Sequence, residues 1–380
     1  SIVGFSTSPS GSGTISGSVQ MDNGSPFYGV SVSDELWGST VATTTSDSDG
    51  DFSQTPLDLG WHSLTYSKSG YFDTNMEGLL ETDGQTLNLE TVRMLSDNCT
   101  SGTMSGKITN AVTGDDMPGV GLWWANGMNK DYYIDYPAFK YFGYADSNGD
   151  WSLTKDAGWY TINVWKSGYY DGYVNVYACG DQPNQNNSLS DFLNEGEMRI
   201  ILRWPKTSPE TGTDLDSHLQ IPDNASDTFH VYYPNPQHQT FYYATNTYTC
   251  GSCSSDQLSD NVTLDKDHKD DSIPPSPPGD ETITISKVRS GTYSFSIHNL
   301  TDFDNRSITN LRQSGAKVKV IYCPVGADCS KEESVVRKKF HVPNKNGTLW
   351  SVFTFNSSGS GSGFTRDRDM TYENTNSNIY

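Results

Sequence analysis

The chain has 380 residues, and its 46 acidic against 25 basic side chains give a net charge of −21. A chain this acidic repels phosphate backbones and anionic membranes, so nucleic acid is not an expected partner and cations are. No stretch approaches the length of a transmembrane helix, about 18 consecutive apolar residues, so we expect no membrane span.

The sequence predicts an all-β fold. Its 35 Gly and 17 Pro residues break up helical periodicity, and short alternating runs bounded by turn residues recur at the spacing of sandwich strands. The 22 Tyr and 9 Trp residues suit half-buried strands. We expect three tandem β-sandwich domains, Ig-like or transthyretin-like, over residues 12–97, 98–194 and 195–356, with extended N- and C-terminal segments.

Residues 1–11 form an N-terminal extension before the first predicted sandwich. Its apolar residues are Ile2, Val3 and Phe5, followed by Ser, Gly and Pro. One interpretation is a frayed end. The other is a donor strand that pairs with an open sheet edge of the next subunit, in which case these three residues mediate assembly.

An internal repeat begins at residue 12. Three motifs recur in the same order, about 90 to 100 residues apart: Ser12–Val19 and Ser101–Ile108, Asp47–Ser53 and Asp146–Ser152, Lys68–Tyr71 and Lys166–Tyr169. Each copy therefore predicts one module with an opening strand, a hairpin through Asp-x-(Asp/Asn)-Gly and a strand that ends at Ser-Gly-Tyr.

Both copies resemble the carboxypeptidase regulatory-like domain, a transthyretin-like sandwich with an opening (S/T)-G-x-(V/I)-x-G, then P-G-V, a T-D-x-x-G-x-(F/Y) hairpin and a closing G-Y. The resemblance covers residues 12 to about 95 and 101 to about 190. The first copy departs at Pro26–Val30, where Phe and Tyr separate Pro from Gly-Val. The resemblance implies spacer or stability modules and no catalysis.

Asp47, Asp49 and Asp51 superficially resemble a calcium loop. The EF-hand pattern requires a Glu six positions beyond its Gly, and none stands there. Since the second copy keeps the turn residues but has Asn148 in place of Asp49, a hairpin is the favoured interpretation.

The six cysteines form an even set, which favours an oxidising, extracellular compartment. Cys99 and Cys179 bracket the second module, and Cys323 and Cys329 close a short loop. Three disulfides are expected in all, although the pairing among the four cysteines of the third domain, which include Cys250 and Cys253, stays open. A CxxC also occurs in redox and zinc sites, but this one lacks a second CxxC, a following helix pattern and a nearby pair of histidines.

A third domain begins at Glu195, where Met198–Trp204 predicts a central strand. This part resembles an uncharacterised secreted β-sandwich family with the motifs L-x-W, D-L-D-x-H-(L/V), L-D-x-D, G-P-E-T-I-T-I and G-x-Y-x-(Y/F)-x-(V/I)-H-N. Here these are Leu202–Trp204, Asp214–Leu219, Leu264–Asp267, Gly279–Ile285 and Gly291–Asn299, and Asp280 replaces the Pro. The resemblance covers about residues 195–355 and implies a fold without an activity.

Acidic residues of this domain are candidate metal ligands. Asp214, Asp216 and His218 alternate along a predicted strand, so their side chains leave from one face. Asp265 and Asp267 add carboxylates, as does Glu281. Calcium suits such oxygen ligands. The alternative is that the Asp residues cap turns and His218 packs or hydrogen-bonds inside the sandwich; no cofactor is required in either case.

N-glycosylation sequons are frequent and lie mostly in turn-like segments, which favours glycans as covalent partners of an exported chain. Their asparagines are Asn23, Asn98, Asn186, Asn224, Asn261, Asn299, Asn305, Asn346 and Asn356.

Residues 357–380 begin with a Ser/Gly run that predicts a linker, followed by a polar tail. The run contains Gly359–Gly363, a G-x-S-x-G pattern without the strand and helix that a nucleophile elbow needs. HExxH, phosphate-loop and dinucleotide motifs are missing. The sequence therefore predicts no enzyme.

Together these features predict a non-enzymatic structural subunit of an extracellular filament, sheath or surface layer, secreted or on the cell surface. Its main partners would be copies of itself. The alternative is a secreted adhesin or carbohydrate-binding protein, since aromatic pairs such as Trp123 and Trp124, or Tyr132 and Tyr133, could stack on sugars.

Overall fold

β-strands make up most of the regular structure, as the sequence predicts. The computed structural model describes residues 10–204, 214–223, 228–233, 238–268, 279–299, 309–358, 363–366, 369–373, 375 and 379. No helix in this part of the chain has the length and apolar character to cross a bilayer. The chain divides into two compact units: Ser1–Ile108, Met117–Lys166 and Asp171–Asn187 form the first, and Thr109–Asp116, Ser167–Tyr170 and Ser188–Tyr380 the second.

The strands of the two repeats lie mostly in the first unit. Those of the first repeat are β1 (Ser12–Gln20), β2 (Ser31–Leu36), β3 (Ser39–Thr45), β4 (Asp51–Asp58), β5 (Gly60–Ser67), β6 (Thr74–Leu80), β7 (Thr86–Asn88) and β8 (Val92–Arg93). Those of the second are β9 (Gly102–Asn110), β10 (Gly121–Asn126), β11 (Lys140–Tyr144), β12 (Asp150–Lys155), β13 (Gly158–Trp165), β14 (Gly172–Ala178) and β15 (Asn187–Leu189).

The first repeat is a sandwich of two four-stranded sheets. In one sheet β1 lies between β4 and β7 and also pairs with β8, and the other runs β3-β2-β5-β6. Strand β5 alternates as a half-buried strand should, with Leu64 and Tyr66 fully buried. Phe52 of β4 meets Tyr66 edge to face, with ring centroids 5.6 Å apart. This contact joins the two sheets across the core.

The second repeat has the same strand pairing. Its sheets run β12-β9-β15 and β11-β10-β13-β14, which correspond in order to β4-β1-β7 and β3-β2-β5-β6. The repeat detected in the sequence motifs therefore extends to the topology.

The β6 edge of the first sandwich is covered by the second repeat. The backbone N–H of Met128 donates to Asn75 at 2.8 Å, and that of Glu77 donates to Met128 at 3.1 Å. Lys130 forms a salt bridge with Glu77 beside these bonds. The two sandwiches of the first unit are therefore joined through a strand edge.

The turns at Asp47 and Asp146 differ from the predicted hairpins. The Asp47 carboxylate accepts the backbone N–H groups of Asp49 and Asp51, both at 2.9 Å. Asp146 holds Asn148 and Asp150 in the same way. However, β3 and β4 belong to different sheets. The turn chemistry was predicted, but each turn forms an arch between sheets because its flanking strands do not pair.

The second unit contains two large sheets. Its strands are β16 (Met198–Trp204), β17 (Leu215–Pro222), β18 (Thr228–Tyr232), β19 (Thr240–Tyr242), β20 (Asn261–Lys266), β21 (Gly279–Ile285), β22 (Thr292–Asn299), β23 (Lys317–Tyr322), β24 (Val336–His341), β25 (Leu349–Asn356), β26 (Phe364–Arg366) and β27 (Met370–Thr371). Short helices are α1 (Ser255–Ser259) and α2 (Asn310–Gln313).

One sheet of this unit runs β19-β20-β21-β16-β23-β24 and the other β18-β17-β22-β25-β26, with β27 also on β25. Strand β16 is central, as its apolar mass predicts, and it pairs with both β21 and β23. Trp204, Phe295, Trp350 and Phe353 are buried in one core.

The predicted end of the third sandwich at residue 356 is too early. Strands β26 and β27, both in the predicted tail, pair with β25, and Ile379 is buried. Phe364 and Met370 pack against the core. The Ser/Gly composition did predict a connection, but apolar residues beyond it return to the sheet.

The six cysteines form three disulfides. Cys99–Cys179 is the predicted pair, and Cys250–Cys253 and Cys323–Cys329 resolve the pairing that the sequence left open in the third domain. The helix α1 follows Cys253 directly, although the sequence pattern predicted no helix there. It is a single capped turn, in which the Ser254 side chain accepts the backbone N–H of Gln257.

Candidate functional site

Three carboxylates meet inside the second unit. Asp216 lies on β17, Glu281 on β21 and Asp267 just after β20. One side-chain oxygen from each lies within 4.8 Å of the others. Since β17 and β21 belong to different sheets, the carboxylate trio of Asp216, Asp267 and Glu281 bridges the two layers of the sandwich.

Two members of the trio are almost fully buried. Asp216 is 2% exposed and Glu281 is 1% exposed. Glu281 accepts the backbone N–H of Ser217 through Oε2 at 2.7 Å, whereas its Oε1 has no hydrogen-bond partner in the described part of the chain. The same holds for Oδ2 of Asp216. Asp267 is half-buried, and Gln239 donates to it at 3.3 Å.

Burial and mutual repulsion disfavour the ionised trio. Burial is the main cause that raises the pKa of Asp216 well above its usual range, and the charges of Asp214 and Asp267 add to it. Burial likewise raises the pKa of Glu281, reinforced by Asp216 and opposed by the bond from Ser217. Either protons or a bound cation must therefore neutralise this site.

Two basic side chains of this unit interact with another acid, Asp280. Lys266 Nζ lies 2.8 Å from Asp280 Oδ2, and the Asp280 charge also acts on the partly buried Arg203. In the ranges that the structure describes, neither Asp216 nor Glu281 forms an ion pair with a basic residue.

Of the predicted metal ligands, only some come together. Asp216 and Asp267 belong to the trio, and Asp214 is close enough for its charge to act on Asp216. Asp265 lies elsewhere, which corrects the prediction: it hydrogen-bonds Thr284 and interacts with Arg199. The cause is an irregularity in β20 between Leu264 and Lys266, which interrupts the alternation of side chains.

His218 is also separate from the trio, which corrects its place in the predicted set. It lies in a ring cluster with His230, Tyr232 and His298. Its Nδ1 is 3.0 Å from Nε2 of His230. Burial, with His230 and His298 adding, lowers the pKa of His218 well below its usual value. This is the packing and hydrogen-bonding alternative that the sequence left open.

Glu281 was among the further carboxylates that the sequence suggested, and the structure brings it into the trio. Its strand reads Gly-Asp-Glu-Thr-Ile-Thr-Ile, so alternation puts Glu281 on the same face as Ile283 and Ile285. A carboxylate on an otherwise apolar core face was the available signal.

The second repeat carries an aromatic surface made of the exposed Tyr133, Tyr136, Tyr141 and Tyr144 and the partly buried Trp123 and Tyr132. Tyr133 and Tyr144 are 68% and 67% exposed. An open cleft of about 620 Å³ lies beside Tyr144 and is also lined by Phe142, Trp151 and Asp146. Exposed rings beside polar groups are suited to binding a partner.

Strand β3 forms a sheet edge. Within the described residues it pairs with β2 alone. Five of its seven residues are exposed, including Val41 at 46%. The predicted assembly residues Ile2, Val3 and Phe5 lie outside the described residues.

Four sequon asparagines are exposed: Asn23, Asn98, Asn346 and Asn356. Asn186 and Asn261 are partly buried, and Asn224 and Asn305 lie outside the described residues. Asn299 is 0% exposed, so the folded chain has no room for a glycan there, and this candidate is corrected.

The comparisons with known proteins agree with the β-rich architecture. A family model for the carboxypeptidase regulatory-like domain matches residues 14–95. For the second repeat, membership of that family stays a prediction, as does the DLDSH family. No curated protein matches the chain.

Several solved structures show a distant likeness. The shaft pilin SpaA from Lactobacillus rhamnosus GG is 12% identical, over 47% of this chain and 97% of that one, with a TM-score of 0.19. The Bacillus anthracis TIE protein is 10% identical, over 76% and 45%, with a TM-score of 0.20. Klebsiella pneumoniae 5-hydroxyisourate hydrolase is 21% identical, over 21% and 90%, with a TM-score of 0.18. Likenesses of this strength carry no functional argument.

Proposed function

We propose that this chain is a non-enzymatic structural subunit of an extracellular filament, sheath or surface layer, and that copies associate by strand addition. The open β3 edge is the observation that carries the proposal. An exposed strand edge offers unpaired backbone N–H and C=O groups to an incoming strand. Proteins that avoid such pairing protect their edges with charge, proline or bulges. Strand β3 reads Ser-Thr-Val-Ala-Thr-Thr-Thr, without charge or proline, and its bulge lies only near its start.

The position of β3 supports the same proposal. The opposite edge of its sheet, β6, is covered through Met128, so among the described residues β3 is the edge of that sheet left for a partner. Its pairing with β2 is regular from Ala42 to Thr45, beyond a bulge near its start. The donor would be the N-terminal extension of another copy, whose Val3 and Phe5 alternate as strand residues do.

Three further features suit an extracellular structural role. The disulfides fasten segments of both units and require an oxidising compartment. The two sandwiches of the first unit are joined through backbone bonds and the Lys130–Glu77 salt bridge, which favours a stiff module. The exposed asparagines Asn23, Asn98, Asn346 and Asn356 can carry glycans on the outer surface.

Assembly can be tested on the full chain with two changes. Size-exclusion chromatography with light scattering and negative-stain electron microscopy should reveal polymers that grow with concentration. Deletion of residues 1–11, or Thr43→Lys on the exposed face of β3, should leave monomers, because the first removes the donor and the second places a charge on the edge.

Thr82→Lys is the matched control. Thr82 is exposed in the β6–β7 connection of the same sandwich, so the same charge is added away from β3 and polymers should persist. A wild-type chain that stays monomeric at every concentration would overturn the proposal. Equal loss of polymers in the Thr82 variant would also contradict it, since net charge rather than the edge would then control association.

The aromatic surface favours a second candidate, a secreted adhesin or carbohydrate-binding protein. Tyr133 and Tyr136 are 68% and 62% exposed, and exposed rings can stack on sugar faces. A monomeric chain that binds a glycan array, and loses binding with Tyr133→Ala and Tyr136→Ala, would favour this candidate over the structural subunit.

A further inference from the structure

We propose that the carboxylate trio of Asp216, Asp267 and Glu281 binds a calcium ion that ties the two sheets of the second unit together. The geometry supports this first. Calcium–oxygen distances are about 2.3–2.6 Å, so oxygens on opposite sides of one ion lie about 5 Å apart. The three carboxylate oxygens lie within 4.8 Å of one another, and a single ion can contact all three.

The buried oxygens supply the second, independent argument. Asp216 Oδ2 and Glu281 Oε1 are shielded from solvent and have no hydrogen-bond partner in the described residues, on side chains that are 98% or more buried. A buried polar atom without a partner destabilises the fold, and more so when it carries a charge. A cation held by the trio would give both of these buried carboxylates a partner.

The ligand set indicates the class of cation. All three groups are carboxylates, and hard cations prefer oxygen ligands. Calcium tolerates irregular coordination by six to eight oxygens, whereas magnesium demands a near-ideal octahedron. Ligands from two sheets and a connecting segment fit the more tolerant ion. The half-exposed side of Asp267 leaves room for water to complete the shell.

Calcium binding would make the stability of the sandwich depend on the ion. The ion would hold Asp216 on β17 against Glu281 on β21, across the two layers. Because the unfolded chain has no preformed site, binding adds to the free energy of unfolding. This goes beyond strand-addition assembly and does not depend on it.

The test uses the full chain after removal of divalent ions with a chelator. Isothermal titration calorimetry with CaCl₂ should show one site that is lost in Asp216→Asn and Asp267→Asn. At a calcium concentration one hundred times Kd, the unfolding midpoint of the second unit should rise by about 5 °C. Magnesium should bind at least about tenfold more weakly.

Asp265→Asn is the matched control. Asp265 stands two positions before Asp267 but contacts Thr284, so its variant should keep the calcium response. Near-ultraviolet circular dichroism checks the fold of each variant. Should Asp216→Asn fail to fold, the variant of half-exposed Asp267 decides the question alone.

Two results would overturn the proposal. A wild-type chain with neither binding heat nor a midpoint shift would mean that protons alone neutralise the trio. A response that survives both Asp216→Asn and Asp267→Asn would place the ion elsewhere on this acidic chain. Strand-addition polymers could still form in either case, so failure here is distinguishable from failure of the proposed assembly.

Discussion

Lys130 of the second repeat forms a salt bridge with Glu77 of the first, although 53 residues separate them. Their side chains are 19% and 6% exposed, and Trp61 donates to the second Glu77 oxygen at 2.8 Å. Burial is the largest influence on the pKa of Glu77 and raises it, with Lys130 and Trp61 opposing. The junction between the repeats thus contains a buried carboxylate, Glu77, whose charge is stabilised by the Lys130 ammonium group.

Lys130→Met should destabilise the first unit by about 3 kcal/mol, because it leaves a buried carboxylate without its cation. Urea unfolding at pH 7 measures this. At pH 4 the loss of unfolding free energy should be smaller. The pKa of Glu77 is raised, so its carboxyl group is mostly protonated in the folded state at this pH and depends less on Lys130. The double variant with Glu77→Gln should recover part of the loss. A cost below about 1 kcal/mol at pH 7 would mark the pair as an ordinary surface salt bridge.

Gly106 should be irreplaceable because another backbone runs directly beside it. A Cβ at this position would collide with the backbone carbonyl of Gln185. The backbone N–H of Gln185 donates to the carbonyl of Ser105 at 2.9 Å, which holds the two segments together. Gly106→Ala should therefore cost about 3 kcal/mol in urea unfolding, at the upper end for overpacking. Gly251→Ala is the control, since a Cβ there meets open space. Equal stabilities of the two variants would contradict the steric argument.

Local patterns predicted those features that depend on nearby residues. The apolar mass of Met198–Trp204 predicted a central strand, and β16 has partners on both sides. The cysteine spacing predicted the Cys99–Cys179 disulfide, whereas the pairing within the third domain stayed open. Both features depend on a property of the local sequence: the hydrophobic content of one segment, or the number of residues between two cysteines.

Features that depend on pairing between distant strands were not predictable. Regular alternation of side chains along a strand would put Asp265 and Asp267 on one face of the sheet. The shift in strand register between Leu264 and Lys266 separates them. The arch after β3 has the residues of a hairpin turn, and nothing local shows that its flanking strands enter different sheets. The trio likewise required the two sheets to be placed face to face.

The Cys99–Cys179 disulfide should stabilise the second repeat strongly. It joins residues 80 positions apart, and closing a loop of that length removes about 4.5 kcal/mol of unfolded-state entropy. A Cys99→Ser, Cys179→Ser variant should lose that amount in urea unfolding. The Cys250→Ser, Cys253→Ser variant is the comparison: its loop spans only 3 positions, so its loss should be clearly smaller. Equal losses would contradict a loop-closure mechanism.

His230 should make the second unit sensitive to acid. Burial, with the nearby His238, lowers its pKa to about 4. The unfolded value is about 6.5, so the unfolded chain binds more protons between these values. Stability contributed by neutral His230 is therefore complete above pH 6.5 and falls by up to about 3 kcal/mol as the pH drops to about 4.

The groups that face His230 are His218, Tyr232, His238 and Tyr248, and the Tyr248 hydroxyl donates to the His230 carbonyl at 2.9 Å. His230→Gln removes the titrating ring. The difference in unfolding free energy between wild type and variant therefore measures the contribution of His230 to the pH dependence, apart from that of other titrating groups. In urea unfolding from pH 7 to pH 4.5, the wild type should lose more stability than the variant. A parallel decline of both would show that protonation of His230 does not control acid sensitivity.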